Sequence, residues 1–361
     1  MAAPFRQKGL KILILGGTGF IGPDEVKTAV ARGHTVTIFN RGKTEKRKGG
    51  MFPDVEKLYG NRDPEKVADD TDPASPKGLE SLKGRSWDVV IDNSGYVPRI
   101  TKASAELLAP NVKQYIYISS VSAYAAHATL NADETDTLST MADPTVEEMG
   151  AQFENYGPLK VLCEKSVEAA MPGRATIVRP GFIVGPGDPT DRFTYWPVRV
   201  DRGGEMLVPG TPEDPVQIID TRDLGEWLIT LAESQTIGVF NAVGPAGRLS
   251  MKEMLAACKA ATTSDTTLTW VDTAFLEARP EQANFPIWVP PAGEYAGFAT
   301  RSNARAVAAG LKFRTVADTA KATLEWFKSL PEDRQAKLAA GPKPEDEKAI
   351  LAAWHEAQGK K

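Results

Sequence analysis

The first patterned stretch is the apolar run Leu10–Leu15, which ends in a cluster of glycines, as a strand buried in a parallel sheet does. A helical pattern follows over Pro23–Arg32, with Pro23 suited to the first turn and Gly33 placed to end it. The β-branched run Thr35–Phe39 predicts a second strand, Val55–Tyr59 a third and Asp88–Asp92 a fourth. Ile100–Leu108 predicts a helix that Pro110 stops, Tyr115–Ser119 a fifth strand, Asn155–Ala170 a long helix and Ala175–Arg179 a sixth strand. Strands that alternate with helices argue for βαβ units and a parallel sheet.

After Pro180 the pattern changes. Residues 181–215 are rich in Gly, Pro and Asp, which predicts loops over a site. Val216–Ile219 reads as a short strand, Leu224–Ala232 as a helix, and Val239–Val243 as a strand (near 237–243) returning to the main sheet. Met251–Ala260 predicts a helix, Leu268–Asp272 a strand, and Ala304–Ala309 and Val316–Lys328 two further helices. Residues 331–361 alternate charge and alanine, as one or two amphipathic helices do. The lysine-rich stretch Lys43–Lys48 is read as a solvated loop. The expectation is an α/β fold: a Rossmann-type doubly wound parallel sheet over 1–180, a smaller C-terminal α/β substrate lobe over 181–330, and a helical extension over 331–361. A length of 361 residues fits that division.

Composition narrows the function classes. With 42% hydrophobic and 25% charged residues, the chain can bury a sizeable core. A formal net charge of -4 gives no general pull toward nucleic acid or an anionic membrane. No apolar run approaches the ~18–20 residues of a membrane span, and Met1–Leu10 carries no secretory apolar stretch. A cytoplasmic location is expected, with export behind a removed leader as the alternative. Cys163, Cys258, His34, His127 and His355 form no Cys-x-x-Cys or His-x-x-x-His spacing, so neither a structural metal nor a disulfide framework is expected. Cys163 reads as a packing residue on the long helix.

The strongest chemical signal is Gly16-Gly17-Thr18-Gly19-Phe20-Ile21-Gly22, between the first strand and the first helix. It satisfies G-x-G-x-x-G in the strand-to-helix context that dinucleotide binding needs. One glycine allows the tight turn, another lets a pyrophosphate approach the backbone, and the last lets helix and strand pack closely. The helix N-terminus then offers free N–H groups to the phosphates. At the end of the second strand, where an NAD site usually has an acid, this chain has Asn40 and Arg41. Arg41 can meet a 2′-phosphate, which favours NADP(H) over NAD(H), unless it stacks on adenine or faces water. Asp63, after the third strand, can accept from an adenine amino group or can face solvent.

Tyr156 and Lys160 are four apart in the long helix, so both lie on one face. A phenol near its ordinary pKa of about 10 is a poor acid–base group at neutral pH, and a nearby ammonium lowers that pKa. Tyr156 is thus a candidate proton donor and acceptor, and Lys160 a candidate for the nicotinamide ribose as well. Ser119, Ser120 and Ser122 sit at the C-terminal end of the fifth strand, where doubly wound sheets bind ligands.

These features together resemble the extended short-chain dehydrogenase/reductase family, in its NAD-dependent epimerase and dehydratase branch. The matching residues are Gly16 to Gly22, Ser119-Ser120-Val121-Ser122-Ala123-Tyr124, the Tyr156/Lys160 pair, Arg179-Pro180-Gly181 and Asp220 to Leu224. The resemblance implies catalytic roles for Ser120, Tyr156 and Lys160 and places Pro180 near the nicotinamide. It also implies a small-molecule substrate, and pairing of two copies through helices around the active-site helix. The fourth strand departs from the family pattern: it ends in Asp92-Asn93-Ser94-Gly95-Tyr96, which sets Ser94 and Tyr96 beside the cofactor.

Substrate-side candidates are Tyr96, Tyr124, Arg192 and Tyr195, the last two from a loop that suits ring stacking and an anionic or polyhydroxyl group. Trp288 and Tyr295 are placed to close the pocket from the other side. Three functions stay open. One is an NAD(P)-dependent oxidoreductase acting on a hydroxyl or carbonyl carbon of a sugar-like substrate. The second is an epimerase that oxidises transiently and keeps its cofactor. The third is a non-catalytic cofactor- or RNA-binding relative. Dehydration needs an added acid–base group near Ser120, and Val121-Ser122-Ala123 offers no carboxylate.

Overall fold

The structure, a computed structural model, describes residues 9–72 and 74–359. Met1–Lys8, most of the segment read above for a leader, lie outside the described residues, as do Lys360 and Lys361 of the C-terminal extension.

The first half folds as the alternation predicts, with strand boundaries moved by one to three residues. Its strands are β1 (Lys11–Leu15), β2 (Thr35–Asn40), β3 (Glu56–Tyr59), β4 (Trp87–Asp92), β5 (Val112–Ile118) and β6 (Ala175–Pro180). Its helices are α1 (Gly22–Ala31), α2 (Lys43–Lys48), α3 (Pro98–Leu108) and α4 (Tyr156–Ala170). The basic stretch read as a solvated loop is α2. It starts after Gly42 and stops at Gly49, both left-handed (φ 77° and 71°), and it buries Glu45 while its lysines stay outside.

Residues 181–215 are more ordered than their composition suggests. They hold β7 (Phe182–Val184), α5 (Tyr195–Asp201), β8 (Glu205–Pro209) and the start of β9 (Pro215–Val216). The predicted strand at 216–219 is split into β9 and β10 (Ile218–Asp220). Then come α6 (Thr221–Ser234), β11 (Gly238–Ala242), β12 (Leu249–Ser250), α7 (Met251–Ala260), β13 (Thr267–Val271), α8 (Thr273–Glu277), α9 (Ala304–Ala308), α10 (Val316–Lys328), α11 (Glu332–Gln335) and α12 (Pro344–Gly359).

Seven parallel strands form the main sheet in the order β11-β6-β5-β4-β1-β2-β3. The returning strand expected near 237–243 is β11, at the edge beside β6. Alternate side chains serve opposite faces. Ile12, Ile14, Ile38, Ile91 and Ile116 pack with Val26, Leu224, Trp227 and Leu228 of α1 and α6. Leu13, Leu15, Val90, Tyr115 and Tyr117 pack with Ala105, Leu108, Cys163 and Val167 of α3 and α4. Each such large side chain contributes about 1.5–3 kcal/mol by leaving water. Both faces are therefore covered, which makes a doubly wound Rossmann-like sheet.

A second buried cluster joins Tyr195 and Trp196 of α5, Met206 and Leu207 of β8, Met251 and Met254 of α7, and Ile350 and Leu351 of α12. The C-terminal helix thus covers this cluster through two aliphatic residues. Among the described residues no helix is long and apolar enough to cross a membrane.

Candidate active site

The order of the sheet reverses between β1 and β4, and a crevice opens beyond their carboxyl ends, where such sheets bind ligands. A cavity of about 680 Å³ fills it. Its lining includes Gly16, Thr18, Gly19, Phe20, Ile21, Asn40, Arg41, Ser94, Tyr96, Ser120, Tyr156, Lys160, Pro180 and Arg192, all singled out from the sequence. Gly17 and Gly22 lie beneath the loop instead. A Cβ on Gly17 would stand 2.6 Å from Ile38 Cγ2, and one on Gly22 would stand 2.5 Å from the Gly17 carbonyl carbon. Their lack of a side chain lets the turn fold onto β2 and α1, which leaves Gly19 exposed at the tip.

That cradle fits a dinucleotide. α1 begins at Gly22, directly after the loop residues Gly19, Phe20 and Ile21 that line the cavity. At the β2 end Thr18 donates to Asn40 Oδ1 (3.3 Å), while the buried Asn40 Nδ2 has no partner and is a donor in reserve. Arg41 and Lys43 line the same end. None of the described residues lining the cavity is Asp or Glu, whereas Arg41, Lys43, Arg62, Lys160 and Arg192 all reach it. Such a lining suits anionic ligands.

Lys160 is buried on α4 and donates to Gly95 O (2.8 Å) and Ile118 O (2.7 Å). Its Nζ also lies 4.7 Å from the ring centres of both Tyr96 and Tyr117. An ammonium has three N–H donors, so one remains for a ligand. Burial pulls its pKa down to about 8, against the partial restoring effect of Cys163, Asp92 and Glu164.

Tyr156 stands at the first turn of α4, with its ring 6.5 Å from that of Tyr96. Burial pushes its pKa above the ordinary phenol value, and Tyr96 adds to this; Ser120 and Arg192 pull it partway back. The expectation of a phenol depressed by Lys160 does not describe this state, because the ammonium is directed to two main-chain carbonyls. Ser120 accepts from the Ser122 N–H (3.1 Å), which fixes its hydroxyl oxygen at the cavity wall.

Three candidates lie elsewhere. Asp63 faces Arg99, at 3.3 Å, and does not line the cavity. Tyr124 is buried behind the wall: its hydroxyl donates to Asn241 (2.6 Å) and accepts from Arg179 (3.1 Å). Tyr195 is packed in the second core, edge-on to Trp196. Trp288 donates to Asp214 (2.8 Å) and Tyr295 stacks on His127. Neither lines the cavity; Phe298, packed edge-on to Tyr295, lines it together with Phe182, Gln217 and Val243.

Sequence reasoning passed over Arg62. It lies in the cavity wall and grips Asp92 through two bonds of 2.5 and 2.8 Å, with Ser94 and Ser104 as further acceptors. Burial works against its charge and Asp92 more than offsets this.

A family model described as the NAD dependent epimerase/dehydratase family matches residues 12–242, from β1 through β11. The chain belongs to this family. The match spans the main sheet, the glycine loop and the Tyr156/Lys160 helix. Among similar proteins is the chloroplast stem-loop binding protein of 41 kDa b of Arabidopsis thaliana, 28% identical over 246 residues. The aligned part is 65% of this chain and only 58% of that protein's length. Among solved structures, the Bordetella bronchiseptica enzyme WbmH in complex with NAD+ has a TM-score of 0.63 at 14% identity, covering 89% of this chain and 99% of that one. The human epimerase family protein SDR39U1 with NADPH has a TM-score of 0.55 at 19% identity, covering 87% and 99%. The buried Arg62–Asp92 pair stands at the β4 end of the crevice.

Proposed function

We propose that this protein transfers a hydride between NADP(H) and the hydroxyl- or carbonyl-bearing carbon of a small, sugar-like substrate, with Tyr156 as the acid–base group. The observation that carries this reading is a single cavity that joins the glycine cradle to Ser120, Tyr156 and Lys160. The bound nicotinamide supplies or accepts the hydride.

The chain's own residues do the rest. Gly16 to Gly22 and the α1 N-terminus hold the pyrophosphate. Asn40, Arg41 and Lys43 take the 2′-phosphate end, and the absence of an acid there favours NADP(H). Lys160 directs its third donor to the ribose beside the nicotinamide. Ser120 orients the substrate oxygen, and Tyr156 gives that oxygen a proton in reduction or removes it in oxidation. Its raised pKa keeps the phenol protonated near neutrality, the form that serves reduction. Arg192 lies over the Phe182 ring at 5.2 Å and donates from Nε to Thr190, and its charge suits an anionic substituent.

Epimerisation by transient oxidation is the second reading, favoured by the family to which the chain belongs and served by the same residues. Dehydration is disfavoured by a lining without carboxylates. The deciding experiment screens sugars, sugar acids and cyclic alcohols with NADP+ and NAD+, following absorbance at 340 nm and the stereochemistry of the recovered substrate. Net absorbance change supports the first reading, inverted substrate without it the second. Full turnover by Tyr156→Phe overturns both.

A further inference from the structure

Glu25 lies on α1, the helix that follows the glycine loop, and is wholly buried. Its Oε2 accepts from Asn93 Nδ2 at 2.7 Å. Its Oε1 is sealed from solvent and has no partner. Asn93 Oδ1 is sealed and unpartnered as well. Two orphaned acceptors on the same pair of side chains are a costly arrangement for a carboxylate and an amide. A proton on the carboxyl removes the buried charge, the costliest part of that arrangement, and gives the pair a donor.

We propose that Glu25 is held as a neutral carboxylic acid paired with the Asn93 amide, and that this pair positions the cavity wall for the dinucleotide. The inference rests on the reading of the crevice as a cofactor site. Asn93 lines the cavity at the end of β4, and its Cβ is 3.5 Å from where a Cβ on Gly16 would stand. Glu25 thereby ties α1 to β4 across the point where the sheet order reverses. A negative charge at Glu25 would also oppose the pyrophosphate directly.

The surrounding charges favour the neutral form. Asp24 precedes Glu25 on α1 and repels its anion. Asp220 and Arg222 at the start of α6 face Asp24 and pair with each other (2.6 Å). On β4, Asp92 is engaged by Arg62. Burial is the largest effect, and it pushes the Glu25 carboxyl up to about 8.

The sign of the coupling follows. Bound phosphates raise the Glu25 pKa further, so binding takes up a proton above pH about 8 and weakens there. The test is the Kd of NADPH, read by fluorescence from pH 6.5 to 9.5, for the full chain and for Glu25→Gln. Glutamine mimics the neutral acid and cannot ionise. Lys160 titrates in the same range, so the quantity to read is the ratio of the two Kd values, in which its effect cancels. The ratio of wild type to variant should be near one at pH 6.5 and rise about fivefold or more by pH 9.5. A ratio that stays flat overturns the coupling.

Thermal melting without cofactor keeps the two ideas separate. A carboxyl whose folded pKa lies above its unfolded value loses stability as pH rises through the folded pKa. The wild-type melting temperature should therefore fall relative to Glu25→Gln between pH 6 and 9. Parallel melting curves overturn the neutral acid itself. Failure to bind NADPH or NADH at any pH overturns the cofactor reading and the coupling together, and leaves the neutral acid to the melting curves.

Discussion

Glu164 on α4 and Arg179 on β6 form a two-pronged ion pair, 2.9 and 2.6 Å, sealed behind the wall that carries Ser120. Glu164 stands one turn beyond Lys160 on the same helix and also accepts from Ser119. Arg179 continues to Tyr124, and Tyr124 to Asn241 on β11. The Tyr156/Lys160 helix and the serine end of β5 are thus fixed to one buried frame. Removing one partner strands the other charge. Glu164→Ala should lower stability by about 3–5 kcal/mol in urea unfolding, whereas the double replacement Glu164→Leu with Arg179→Met should recover most of it. A loss below about 1 kcal/mol for the single variant would show the pair to be open to water.

The glycines of the loop divide into two classes with different expected losses. A Cβ on Gly22 meets Gly17 backbone at 2.5–2.6 Å, and backbone cannot move aside. A Cβ on Gly19 meets only Gly16 O, at 3.4 Å. Gly22→Ala should therefore lower the melting temperature and weaken NADPH binding together. Gly19→Ala should keep its melting temperature and lose affinity alone, by about tenfold, as the pyrophosphate is held off. Equal melting losses in both variants would contradict this division.

Much of this was legible in the sequence because it was local. The strand, glycine turn and helix of 10–32 are contiguous, and Tyr156 and Lys160 are set by helical spacing alone. What failed was nonlocal. The sequence places Tyr195 in a loop because α5 is seven residues long, too short for a period to emerge, and β8 pairs with β13, 62 residues later. Arg62 gains its meaning from Asp92 on another strand. Glu25 stands in a first helical turn, an ordinary place for an acid, and nothing local announces the close approach of α6 at Gly225 to that turn.

The titration of the site has a definite sign. Tyr156 is pushed above the ordinary phenol value by burial, so it stays protonated across neutral pH. Lys160, pulled down to about 8, loses its charge first. For carbonyl reduction, kcat/KM should be level from pH 6 to 7.5 and fall by about tenfold per unit well above 8, as the donor to the ribose is neutralised. The fall should persist in Glu25→Gln, which separates it from the carboxyl effect. Reduction that continues undiminished to pH 10 would remove Lys160 from the binding of cofactor.

Cofactor choice turns on the β2 end. Asn40 keeps an unpartnered donor there, Arg41 and Lys43 add charge, and no acid lines that end of the cavity. Donors without an acceptor suit a phosphate better than the two ribose hydroxyls that a carboxylate would bind. Arg41→Ala should raise the Kd for NADPH by about tenfold, the effect of losing one charge-assisted contact of 1.4 kcal/mol, and leave that for NADH within about twofold. Asn40→Asp should reverse the preference outright, since its carboxylate would repel the 2′-phosphate and accept from the free hydroxyls. Titrations of both cofactors against both variants decide the matter, and equal losses for NADPH and NADH would place Arg41 on the adenine face instead.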